Sequence, residues 1–551
     1  MPSLSPKLTA VLRTTALLIP FVPFVALPLL AQDVPLHAGE LAWSLGNDPA
    51  TLDPAKVDER AAEMVRYLTG GVLVRLNRSS LGIEPALAEN WTVSPDGKLI
   101  TFRLRPGLRF SDGSPLTSAD VAATLHRVLA PATAAPVADE FLVPAKVAVE
   151  SPDALTVRVH LPQRIVSIGG AFDQIAIEPA NHPSEGHITA GPFSVAEFKR
   201  GEYVRLVRNP YYWRHDASGA QLPYATSIRL DVINNRETAE MRFARGQYSL
   251  IEDVPADGFE ALSRRVPGGV HDLGASLNTE QMWFNQAPSS PLPAWEKAWF
   301  TNRAFRQAIS GAIHRADLVR IAYAGHATPA NGFVSPANTT WYNRALPAAP
   351  DGPAAVQALL TQAGFHKQGN TLVDHDGHPV KFSILTNTGN RSRERMAALI
   401  QQDLAAYGIQ VNVVTLDFPA LIERLMHTQD YEAALLGWSN IQPDPSSMMN
   451  AWLSSSPNHQ WNPSQKTPAT LWEAEMDHAM LAQAETGDFK ARKAAVDRVQ
   501  AIVAEEQPFI FLVYPNTLCA ALPSLGNVKL TVLQPDVVSS IETVKVNPGG
   551  R

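Results

Sequence analysis

The second half of this 551-residue chain switches repeatedly between the two-residue hydrophobic period of strands and the 3.6-residue period of helices. Residues 380–385 predict a strand. Residues 393–407 predict a helix, with Met396, Leu399, Ile400, Leu404 and Tyr407 on one face and Gly408 just past the end. A second strand over 411–416, a short helix over 419–427 and a third strand over 431–436 follow. This β-α-β-α-β order requires right-handed crossovers and a largely parallel sheet. Ligands of such sheets sit outside the carboxyl ends of the strands, which nominates two loops, 386–392 and 437–445.

The first half reads differently. A turn at Ser94-Pro95-Asp96-Gly97 leads into an apolar-rich strand over 99–104. Thr117 then has the chemistry of an N-cap, with Asp120 at the capping-box position and Val121, Leu125, Val128 and Leu129 recurring at helical spacing.

Before any of this stands Lys7 and Arg13, an apolar run over 16–30 broken by Pro20, Pro23 and Pro28, and Ala31 before Gln32. That is the pattern of a secretory signal peptide cleaved after Ala31, since the run is shorter than the roughly 20 clean apolar residues of a membrane span. The sole cysteine, Cys519, is far from that site, so no lipid anchor and no internal disulfide are expected. The exported chain is then soluble and held together by burial alone. Loss of Lys7 and Arg13 takes the net charge from −7 to −9, which argues against nucleic acid and anionic membrane partners.

Chemistry-bearing motifs are sparse. The chain has no Gly-x-Ser-x-Gly, His-Glu-x-x-His, phosphate loop or Gly-x-Gly-x-x-Gly. Cys519 lies in an apolar stretch as a packing residue. Asp374-His375-Asp376-Gly377-His378 reads as a hairpin tip rather than a metal site, because neighbouring side chains at a tip diverge. Of the arginines near 390–395, Arg393 and Arg395 are expected on a solvated helix face near Glu394; Arg391, placed before the helix, is a candidate for a ligand anion.

Five blocks in order carry a resemblance. They are Ile83 to Trp91 with Phe110 to Asp120; Gly191-Pro192-Phe193 with Arg208 to Trp213; Trp283-Phe284-Asn285 with Asn302 to Ile309 and His314-Arg315; Met396 to Gly408; and Gly437-Trp438 to Asp444-Pro445. Together they resemble family 5 extracellular solute-binding proteins, the peptide- and nickel-type receptors of ABC importers. The resemblance implies an α/β fold of two lobes joined by a hinge, with an extra subdomain in the first. The domains would be 32–285 with a subdomain near 77–188, then 286–514, then a return to the first lobe over 515–551.

It further implies a monomeric periplasmic receptor, not an enzyme, with no cofactor or metal. The receptor would trap a small to medium solute, peptide-like or neutral, and deliver it to an inner-membrane permease. Candidate ligand-binding residues are Trp438, Ser439, Asn440, Ile441, Asn387 and Arg391, with Asn285 at the hinge and Thr51 in the early loop 47–53. Peptide-binding members resembling this chain hold the α-ammonium with an acid where Ile441 stands here, and a carboxylate-gripping arginine in some of them aligns with Asn387. A ligand without a free α-amine is therefore expected, ahead of ordinary oligopeptides or, in another class, a secreted hydrolase on the same scaffold.

Overall fold

The computed structural model describes residues 39–141, 146–165, 167–181, 187–347, 350–439 and 441–546. The proposed signal segment lies outside them.

Three sheets organise the described chain. In the first, strands Glu40–Leu45, Ser227–Val232, Tyr203–Arg208 and Phe193–Lys199 lie side by side in that order. Leu41, Trp43 and Leu45 alternate into a core closed by Val65 and Leu68 of helix Arg60–Thr69 and by Val537, Val538 and Ile541 of the C-terminal segment. The second is an antiparallel sheet ordered Ala88–Val93, Leu99–Leu104, Thr156–His160 and Ala148–Asp153. Its Phe102 and Leu104 pack against Val121, Leu125 and Val128 of helix Ser118–Leu129. That helix starts where the capping box requires, with the Thr117 amide donating to Asp120 Oδ2 at 2.8 Å.

The third sheet has eight strands. Ala433–Trp438, Lys381–Asn387 and Gln410–Leu416 run parallel as expected, but Thr279–Phe284 lies antiparallel between Ala433–Trp438 and Phe509–Ala521, so the sheet is mixed. Thr279–Phe284 is buried at every position because both faces are covered. Met282 and Phe284 enter a cluster with Phe300, Phe305 and Phe382, while Trp283 faces Trp452, Trp461 and Phe509.

Phe509–Ala521 is the strand that joins the two halves. Residues 509–515 pair with Thr279–Phe284 and Ala327–Pro329; residues 516–521 pair with Val270–Ala275 and Leu250–Ile251. Cys519 and Ala521 at its far end enter the core of the first sheet. The two connections lie together, the Ser276 amide donating to the Pro515 carbonyl at 2.9 Å. Asn285 lies just beyond the end of Thr279–Phe284, its amide donating to the Glu432 carbonyl at 2.9 Å.

Candidate functional site between the two halves

At these crossings the protein encloses a cavity of about 470 Å³. Its walls come from Leu277, Asn278, Pro515 and Asn516 of the crossing strands, Arg60, Glu63 and Met64 of helix Arg60–Thr69, Glu252 and Asp253, and Leu533 to Asp536 of the C-terminal segment. Ile441 and Gln442 close it from the loop after Ala433–Trp438.

One corner is apolar. Ile441 packs with Leu76, Leu277 and Leu533, and with Leu81 and Ala337, so residues from both halves meet in one cluster. The floor is acidic. Arg60 pairs with both Asp253 and Glu252, the latter at 3.1 Å. Arg66 pairs with Glu63 at 2.5 Å and Arg78 with Asp173 at 3.3 Å. Glu59 is occupied as the helix cap, accepting from the Ala61 and Ala62 amides at 2.7 Å.

Asp536 has no such cation of its own. It is 1% exposed, and the Val537 amide donates to its Oδ1 at 3.0 Å. Burial, and then the neighbouring Glu252, push its carboxyl well above the usual carboxylate range, with Arg60 opposing. The raised Asp536 carboxyl hydrogen-bonds to Glu252, and Asn516 Oδ1 is buried with no donor among the described residues.

Of the sequence-predicted residues, Ile441 lines this cavity and the others have different partners. Trp438 is half-buried, its ring edge-on to Phe509 at 4.9 Å and to Trp452 at 5.6 Å, so it belongs to the aromatic packing beside the sheet. Ser439 is exposed. Asn440 lies outside the described residues. Asn387 Oδ1 accepts from Arg393 Nη1 at 2.9 Å. Asn285 is buried and donates to the Gln429 and Tyr431 carbonyls at 2.8 and 3.0 Å, a structural role. Thr51 Oγ1 accepts from the Asp53 amide at 3.0 Å.

Two arginine readings change. Helix Arg391–Ala405 begins at Arg391, capped by Asn390, whose Oδ1 accepts from the Arg393 amide at 3.0 Å. Arg391 and Arg395 reach Asp257, at 3.7 and 3.5 Å. Arg393 is not solvated. Its Nε donates to Glu280 Oε2 at 2.8 Å, a partner 113 residues away on Thr279–Phe284. Gly437 sits opposite Glu280 in the register, and a Cβ there would lie 2.7 Å from both the Glu280 carboxyl and Arg393 Nη2. The Gly437-Trp438 pair is thus explained by packing: glycine makes room for a buried ion pair, and tryptophan closes the aromatic layer beyond it.

Glu252, Asn516 and Asp536 escape a sequence reading. No local motif marks them, because they meet only through crossings far apart in the chain.

Two lobes joined by a shared strand, with a cavity at the crossing, define a ligand-enclosing receptor. The chain belongs to the bacterial extracellular solute-binding proteins, family 5, whose model matches residues 82–460. It is 26% identical over 547 residues to the probable deoxycholate-binding periplasmic protein YgiS of Escherichia coli, covering 92% of this chain and 94% of that protein. It is 25% identical over 509 residues to a probable ABC transporter-binding protein of Deinococcus radiodurans, covering 84% and 85%. Among solved structures, the oligopeptide-binding protein AppA of Bacillus subtilis in complex with a nonapeptide superposes with a TM-score of 0.70 at 22% identity, covering 93% of this chain and all of AppA. The protein is accordingly a solute-binding receptor that captures a ligand between its lobes and delivers it to an ABC-type importer. The family and these neighbours are binding proteins.

Proposed function

We propose that the 470 Å³ cavity is the ligand site, that the lobes close about 276–278 and 515–516, and that the ligand is apolar, without a free α-amine, where it meets Ile441. The carrying observation is the placement of Ile441 in an apolar corner shared by both lobes. An ammonium enclosed there would lose its water without gaining a counter-charge, at a cost of several kcal/mol. At the hinge end, where Asp58, Glu63 and Asp253 line the cavity, the ligand presents hydroxyl or amide donors. The name of the E. coli relative supports a solute without an amine.

A second reading, an ordinary oligopeptide receptor, is favoured by the acidic floor: a peptide lying the other way round would bring its ammonium to Glu252 and Asp536. Calorimetry separates the two. Under the first reading acetylated or cyclic peptides and neutral amphipathic solutes bind, and free-amine di- to pentapeptides bind ~100-fold or more weakly. Submicromolar binding of free-amine peptides, lost on acetylation and in Glu252→Gln, establishes the second and overturns the first. Introducing Ile441→Asp should improve binding of free-amine peptides relative to acetylated ones.

In the same reading the mature chain starts at Gln32, works as a periplasmic monomer without a lipid anchor or cofactor, and hands its cargo to an inner-membrane permease. N-terminal sequencing of periplasmic extract checks the first point; a retained Met1 contradicts it.

A further inference from the structure

A second cavity, of about 350 Å³, lies in the first lobe and shares no lining residue with the cleft. Its walls are the exit of helix Arg60–Thr69 at Gly70 to Val72, the turn Glu84 to Leu87, Arg75, Arg105, and Tyr212 to Arg214. Three arginines from three separate parts of the chain therefore line one space.

Their partners do not exhaust them. Glu542 accepts from Arg75 Nη1 at 2.8 Å, from Arg214 Nη1 at 2.7 Å and from the Tyr212 hydroxyl at 2.8 Å, so one carboxylate is shared by two arginines and a tyrosine. Arg105 Nε donates to the Ala86 carbonyl at 2.7 Å, and its guanidinium lies over the Trp213 ring, 4.2 Å from the centroid. The Glu84 carboxylate in the wall accepts from Asn77 Nδ2 at 3.0 Å. Three arginines against Glu542 and Glu84 leave one positive charge, offset only in part by the end of helix Arg60–Thr69, whose dipole is worth about half a charge.

The unsatisfied side-chain nitrogen in this wall is a donor: Arg75 Nε is buried without an acceptor among the described residues. A cavity lined by three arginines, two of which share one carboxylate, has the chemistry of an oxyanion site.

We propose that this cavity binds a small oxyanion, a carboxylate or a phosphate, independently of the ligand in the cleft. Arg105 is the arginine to test, because it stands outside the Glu542 network. The mature protein is titrated with acetate and, separately, with inorganic phosphate at fixed ionic strength, with chloride as control, following the melting temperature and the heat of binding. Saturable stabilisation by either oxyanion beyond chloride, weakened at least about tenfold in Arg105→Gln and partly restored in Arg105→Lys, is the expected result. Acetate alone acting identifies a carboxylate site; phosphate alone identifies a phosphate site. Stabilisation no greater than that of chloride, or unchanged in both Arg105→Gln and Arg214→Gln, overturns the proposal. The unliganded melting temperature of each variant separates lost binding from lost folding, and Arg214→Gln serves where Arg105→Gln does not fold.

Discussion

At the scale of single residues, the Glu280–Arg393 pair and Trp438 show packing occupying positions that look functional in the sequence. Glu280 is 6% exposed and Arg393 is its cation. Arg393→Ala should therefore cost about 3–5 kcal/mol in urea denaturation, since an uncompensated carboxylate stays buried. A loss under 1 kcal/mol would mean that water reaches Glu280. Trp438→Ala should lower stability by about 3 kcal/mol while leaving ligand affinity within a few-fold, because the ring packs on Phe509 and Trp452 outside the cavity wall. Stability unchanged with affinity lost would return Trp438 to the site.

At the scale of elements, helix Ala294–Thr301 carries a titration with a readable sign. Glu296 is buried to 8% exposure and faces Glu432, whose carboxylate accepts from the Ser383 amide at 2.6 Å. Burial, and then Glu432, push the Glu296 carboxyl up to about 7 from the ordinary 4.5. Between those pH values the folded protein keeps a proton that the unfolded chain has released, so this group's contribution falls as pH rises from about 4.5 to about 7 and is level above. Glu296→Gln should flatten that fall. Urea midpoints at pH 4.5, 5.5 and 7 check it, and a slope unaltered by the substitution would assign the fall elsewhere, Asp536 first.

At the scale of the whole molecule, the proposed closure about 276–278 and 515–516 rests on two chain segments that lie side by side. Saturating ligand should reduce the radius of gyration in small-angle scattering; an unchanged profile would count against closure. Arg391 and Arg395 meet Asp257 at exposed positions where an ion pair contributes about 0–1 kcal/mol, and in the proposed reading this contact spans the two lobes. Asp257→Asn should shift the open–closed equilibrium by no more than about fivefold, and the shift should vanish in high salt. A salt-independent effect would mean that Asp257 acts through something other than charge.

The strands and helices of residues 380–438 were legible from hydrophobic period alone, as was the capped helix after Thr117, because each depends on neighbours within a turn or two of chain. Gly408 was legible for the same reason: it adopts φ +85°, and a Cβ would lie 2.6 Å from the Asn370 carbonyl. Ile441 could be singled out because an apolar residue replaces an acid in a motif of fixed length. Partners were not legible. A strand's period says which face is buried but not which strand it pairs with, so the pattern of Phe509–Ala521 did not name its partners; only the resemblance placed a return to the first lobe at 515. Charge in the sequence likewise carries no partner. Arg393 reads as solvated until tertiary folding lays Glu280 beside it, and Glu252 comes to line one cavity with Asn516 and Asp536, more than 260 positions further along the chain, only through the tertiary fold.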